Sequence, residues 1–128
     1  MTAIQTFSAP LGRVLLSLIF LISGVGKISG YAGTQAYMDS MGVPGVLLPL
    51  VIALEILGGL AIIVGWQARI AAFLLAGFCL LSAVLFHGNI GDQGEQIQFL
   101  KNLGLAGGFL LIVAHGAGAW SLDNRRGA

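Results

Sequence analysis

An all-α transmembrane bundle of four helices is the fold class this sequence predicts, and three observations lead to it. The chain has 128 residues, 57% of them hydrophobic and only 9% charged, with a mean hydropathy of +0.95. Soluble domains carry about 25% charged residues, and so short a chain exposes too much surface to hide this apolar content from water. The apolar residues fall into four runs, each close to the roughly 20 residues a helix needs to cross about 30 Å of hydrocarbon. Those runs do not alternate with polar residues, so they read as helices rather than barrel strands.

The first run covers 11–28 and holds Arg13 and Lys27 near its two ends. Arg13 suits the basic start of a signal peptide, but no A-x-A site follows Lys27, so this run is expected to remain as a helix. The link 29–45 contains Tyr31, Tyr37, Met38, Met41 and Pro44 and reads as an amphipathic connector resting among lipid headgroups. A second run, 46–65, carries Glu55 near its middle and is followed by the tight turn Trp66-Gln67-Ala68-Arg69. The third run, 70–87, closes on His87, and a polar link over 88–98 supplies Asp92 and Glu95. The fourth run, 99–114, begins with Lys101 and Asn102, and a short tail ends in Arg125 and Arg126. Residues 1–128 are expected to form one domain. Gly58-Gly59 and Gly107-Gly108 hint at two related hairpins, although their flanking residues do not repeat.

Charge and cysteine content exclude several function classes. A net charge of +1 without a Lys/Arg cluster provides no field for nucleic acid, so no nucleic-acid partner is expected. Cys79 is alone, which removes an internal disulfide, a C-x-x-C pair and a thiolate metal cluster. In a four-pass arrangement Arg13, Arg69, Arg125 and Arg126 share one side, while Lys27 and Lys101 lie on the other. The positive-inside rule then places both termini in the cytoplasm, with Trp66 and Trp120 at that boundary. His87 and His115 fall on opposite sides, so no metal site is expected. Gly24-Val25-Gly26-Lys27 lacks the spacing and preceding strand of a phosphate loop.

Lipid provides no hydrophobic drive for helix association, so small residues that allow close approach take that role. The 20 glycines matter here because polar and small residues share faces. Arg13, Ser17, Phe20, Gly24 and Lys27 recur at three- and four-residue steps, as do Glu55, Gly58, Gly59 and Ile62. Ala72, Ala76, Ala83 and His87 form the corresponding stripe of the third helix, and Lys101, Gly104, Gly108 and Ile112 that of the fourth. A compact bundle with a polar interior is therefore expected. Glu55 is the sharpest residue, because an ionised acid at mid-membrane costs about 2.5 to 3.5 kcal/mol on insertion scales. Lys27, His87, Lys101 and Asn102 are its candidate partners from one half of the bundle. Two readings of Glu55 stand side by side. One is a buried ion pair that fixes helix register; the other is a polar pocket for a quinone headgroup, a small anion or a proton. Lys27 taken alone also fits a lysine snorkelling to the interface.

The string Ser23-Gly24-Val25-Gly26-Lys27-Ile28 resembles the DoxX family, as do Tyr31-Ala32-Gly33-Thr34 and Met41-Gly42-Val43-Pro44. Leu54-Glu55 with Gly58-Gly59, Phe86-His87, Lys101-Asn102-Leu103 and Gly107-Gly108 extend the resemblance over nearly the whole chain. It implies a four-helix protein of the bacterial inner membrane, with Lys27, Glu55, His87, Lys101 and Asn102 as its shared, ligand-binding positions. Some relatives are assigned to thiosulfate:quinone oxidoreductase complexes and others to membrane-associated oxidative-stress assemblies. Two functions follow as expectations. The first is a redox-linked membrane subunit that binds a quinone or a similar lipid-soluble molecule. The second is a non-enzymatic scaffold or small transporter-like protein. The bilayer is the expected surrounding, with a second copy of the chain or other membrane and redox proteins as partners.

Overall fold

In the computed structural model, which describes residues 2–86 and 91–125, each apolar run is helical over its described residues, the second opening on a 3₁₀ turn, and none of the described residues forms a strand. The elements in chain order are α1 (Ala3–Ser29), α2 (Tyr31–Ser40), a 3₁₀ turn (Gly45–Leu47), α3 (Leu48–Val64), α4 (Ala68–Phe86), α5 (Gln93–His115) and α6 (Leu122–Arg125). Four of them are long and apolar enough to cross a membrane: α1, α4, α5, and α3 together with its 3₁₀ lead-in.

The helix ends follow local chemistry. Thr2 and Gln5 form a capping box, so α1 begins well before the apolar run. Gly65, at φ +71°, ends α3 in the left-handed conformation. Asp92 caps α5 by accepting the Gly94 N–H at 2.8 Å. The cap of α4 comes from far along the chain, because Asp123 accepts the Gln67 and Ala68 N–H groups at 2.8 Å each. The connector 29–45 is more ordered than its composition suggests. Gly45 donates to Asp39 Oδ1 at 2.8 Å, and the Gln35 amide donates to the Gly45 carbonyl at 3.1 Å, folding α2 back over the end of α3.

The helices pack mainly as α1 on α3, α3 on α4 and α4 on α5. The α1–α3 contact uses small residues, as expected. Gly59 faces Leu21 and the Ser17 carbonyl, and Gly24 faces Ile56 and Glu55. A Cβ on Gly24 would lie 2.6 Å from Ile56 Cγ1. Gly24→Val is therefore expected to destabilise the bundle by about 1–3 kcal/mol, the usual cost of overpacking, as measured by unfolding in mixed micelles. Between α1 and α5 the space is wider, and Phe20 and Phe109 fill it edge to face at 5.4 Å. Leu75, Cys79, Ile62 and Phe109 are buried at the centre, whereas Leu57, Phe73, Leu81 and Leu111 point outward, as lipid-facing residues do.

One expected stripe is corrected. The buried face of α5 is Asn102, Ala106 and Phe109, not Lys101, Gly104, Gly108 and Ile112. Lys101 and Gly104 are exposed, and Gly108 and Ile112 are only partly covered. The inward face is set by Phe109, whose ring fills the gap that Phe20 leaves open. A glycine-rich face would have left that gap empty. In the other three helices, Arg13 through Gly24, Glu55 with Gly59 and Ile62, and Ala72 with Ala76 and Ala83 are buried as the spacing indicated.

Candidate functional site

Two polar centres lie inside the bundle, one toward each end. The first surrounds Glu55, which is 2% exposed despite its charge. The Lys27 ammonium lies 2.8 Å from Glu55 Oε1. The approach is that of an ion pair and not of a directed hydrogen bond, so Oε1 makes no hydrogen bond among the described residues. Lys27 also donates to Ser23 Oγ at 2.5 Å, one turn earlier on α1. Gly24 is what lets α3 approach closely enough for this pair, because it leaves room beside the Glu55 Cβ.

Beside the pair is a cavity of about 470 Å³, within the range of small-molecule sites. Its walls are mostly apolar and come from α1, α3, α4 and α5, while Thr34, Tyr37 and Met38 of α2 close it over. Tyr37 stacks on Phe86 at 5.5 Å, which ties the short helix to the end of α4. Polar groups on the wall are few: Ser23, Lys27, Glu55, Ser82, Lys101 and Asn102. Asn102 is only 9% exposed, yet its amide has no hydrogen-bond partner among the described residues. Its amide atoms are not sealed off, so they face the cavity with their hydrogen-bonding capacity free.

The structure thus brings Lys27, Glu55 and Asn102 to one cavity. Lys101 reaches the same cavity, but it is exposed, its ammonium donates to Gln98 Oε1 at 2.6 Å, and it makes no ion pair with Glu55. His87 lies outside the described residues. Sequence reasoning gave Ser23 no separate role and placed the connector among the headgroups. Their roles at the cavity were visible only as the i, i+4 spacing from Ser23 to Lys27 and as the cluster of Met and Tyr residues.

The second centre is Arg13, which the sequence placed on the packing stripe of α1 but gave no role beyond orienting the chain. It is 2% exposed, and its Nη2 donates to the carbonyls of Ala119 at 2.9 Å and Trp120 at 2.7 Å. No carboxylate pairs with it among the described residues, and Nη1 has no hydrogen-bond acceptor. Phe7 meets Trp120 edge to face at 5.0 Å beside this latch. The stripe from Arg13 to Lys27 therefore anchors both centres. Its lower end holds the C-terminal segment, and its upper end holds α3.

Four apolar spanning helices around a buried ion pair and a mostly apolar cavity define a small multi-pass membrane protein. The chain belongs to the DoxX family, whose pattern matches residues 9–88. It is similar to inner membrane protein YqjF of Escherichia coli, with 49% identity over 96% of this chain and 95% of that protein. Inner membrane protein YphA of the same organism is 37% identical over 90% of this chain and 87% of that protein. The putative oxidoreductase CatD of Bacillus subtilis is 32% identical over 57% of this chain and 54% of that protein. No solved structure matches the chain.

Proposed function

We propose that this protein is a single-domain resident of the bacterial inner membrane that holds a lipid-soluble molecule with a small polar head, of quinone type, in the cavity beside Glu55. It would serve as the membrane subunit of a redox-linked system. Supporting the location are the names of YqjF and YphA together with four spanning helices. The arginine-rich ends favour cytoplasmic termini. The redox link draws on the name of CatD. The single observation that carries the ligand is Asn102, an amide with no hydrogen-bond partner among the described residues on the wall of a mostly apolar cavity.

These residues fit a quinone. A ring carbonyl needs a hydrogen-bond donor, which Asn102 and Lys27 can supply, and an isoprenoid tail needs the leucine and phenylalanine walls. Bound there, a quinone would supply a two-electron acceptor. Glu55 holds the Lys27 ammonium in place and offsets its charge, so the site can accept a neutral head without leaving a bare cation.

Titration of the purified protein with a short-tailed quinone tests this reading. Asn102→Leu is expected to weaken binding about tenfold, the value of one lost hydrogen bond, with little loss of stability because an unbonded amide is removed. Lys101→Ala, changing an exposed side chain, is expected to alter affinity less than about threefold. Absence of saturable binding by the native protein would overturn the proposal.

A second reading is favoured by one observation. The Lys27–Glu55 pair spans the α1–α3 contact where Gly24 and Gly59 bring the backbones together, so it can fix register with no ligand at all. The protein would then be a non-enzymatic scaffold or transporter-like element. Passage of a solute would call for self-association, since four helices enclose little space. Proteoliposome flux that depends on Glu55, without quinone binding, would select this alternative.

A further inference from the structure

At the opposite end of the bundle from Glu55, the turn after α3 and the segment after α5 enclose a second cleft, of about 540 Å³ and mainly polar. Its basic groups are Arg69 and His115, and neither side chain makes a hydrogen bond or ion pair with any described residue. The Arg69 guanidinium lies against Gly116, where a Cβ would sit 3.4 Å from both Nε and Nη2. Gly116 and Gly118 have φ of +82° and +80°; at Gly116 bare backbone meets the guanidinium, while Gly118 packs against Ala9.

Asp123 is the one acid lining the cleft among the described residues, and its carboxylate is already committed. Each oxygen accepts a backbone N–H at the start of α4, where the helix dipole also offsets its charge. The buried Arg13 lies behind the same segment, bonds its carbonyls and lies in the field of Asp123. With that acid offset from behind and by the start of α4, Arg69 is the charge left facing the cleft without an ion-pair partner among the described residues. Trp66 and Trp120 flank the cleft and are exposed, as rings at a membrane boundary are.

We propose that this cleft binds a phosphate group, with Arg69 as the planar donor and His115 as the second contact. The phosphate is either the headgroup of an anionic phospholipid or a soluble phosphate. Planar guanidinium suits phosphate oxygens, and the flanking tryptophans place the cleft at headgroup depth.

The test uses the full-length protein in phosphatidylcholine nanodiscs doped with phosphatidylglycerol, reading the phosphatidylglycerol retained after extraction by native mass spectrometry. In a parallel arm, inorganic phosphate is titrated while the His115 imidazole shift is followed. Arg69→Gln is expected to reduce retention, or phosphate affinity, about tenfold, and Arg69→Lys to recover only part of it. The Arg125→Gln/Arg126→Gln double variant, which removes the two charges nearest the end of the sequence, is expected to have a smaller effect. Retention without a response to inorganic phosphate supports the site and identifies its source as lipid. A saturable His115 response supports it with a soluble source. Equal behaviour of native protein and Arg69→Gln in both arms, or a tail variant as impaired as Arg69→Gln, overturns the proposal. Arg69 is exposed and makes no bond, so its variants retain the fold, which unchanged helicity verifies.

Discussion

Lys27→Met is expected to destabilise the protein by about 3–5 kcal/mol, the typical cost of removing one partner from a buried ion pair. Glu55 is almost wholly enclosed, and Lys27 is the charge that meets it. Without the ammonium, the enclosed carboxylate loses the cation that pairs with it. The double variant Lys27→Met/Glu55→Gln removes both charges and is expected to recover most of the loss, to within about 1–2 kcal/mol of the native protein. Reversible unfolding in mixed detergent micelles measures all four corners of this cycle. Additive losses would show that the two groups act independently, contrary to the 2.8 Å contact. The same cycle informs function. A double variant that regains stability yet fails to capture quinone separates the binding role from the structural one.

The second large effect is expected at Gly65. Its φ of +71° already disfavours a side chain, and a Cβ there would overlap the Ser121 Cβ and Arg13 Nη1. Both neighbours belong to the latch in which Arg13 bonds the Ala119 and Trp120 carbonyls. Left-handed strain costs about 1–3 kcal/mol and overpacking a similar amount, so Gly65→Val should lose about 3–5 kcal/mol or release the C-terminal segment. Release would also uncap α4, because Asp123 leaves with that segment. Gly42 supplies the control. Its φ is +81°, but nothing lies within 4 Å of a Cβ, so Gly42→Ala reports backbone strain alone. Limited proteolysis reads the outcome directly, with a new cleavage after α5 expected for Gly65→Val and none for Gly42→Ala. Equal stability of the two variants would show that the Ser121–Arg13 contact does not constrain the turn.

Part of the candidate site was legible before any coordinates. Glu55 stood out by the cost of an acid in a hydrophobic run, and the three- and four-residue steps from Arg13 to Lys27 marked the face that is buried. Asn102 was legible as one of two adjacent polar residues, but which of the two turns inward was not. The assignment of Lys101 and Gly104 to the buried face failed because polar and apolar residues of α5 are not segregated onto separate faces. A periodicity argument needs contrast between faces, and the large ring of Phe109 decided the rotation instead. The latch made by Arg13 was hidden, since the two carbonyls its Nη2 bonds lie more than a hundred residues away.

Composition and run length by themselves determined that this is a membrane-spanning, all-helical chain with four crossings, because a backbone in lipid can satisfy its own hydrogen bonds only within helices or closed barrels. Hydrogen bonding of that kind is local, so one dimension suffices to read it. The tertiary structure alone decided that α2 closes over the Glu55 cavity, that the Asn102 amide lines it unbonded, and that the C-terminal segment locks onto Arg13 and caps α4. Those outcomes depend on which distant groups meet once the helices rotate and pack, and the energy that selects the rotation comes from side-chain shape across the interfaces, not from any property of one helix.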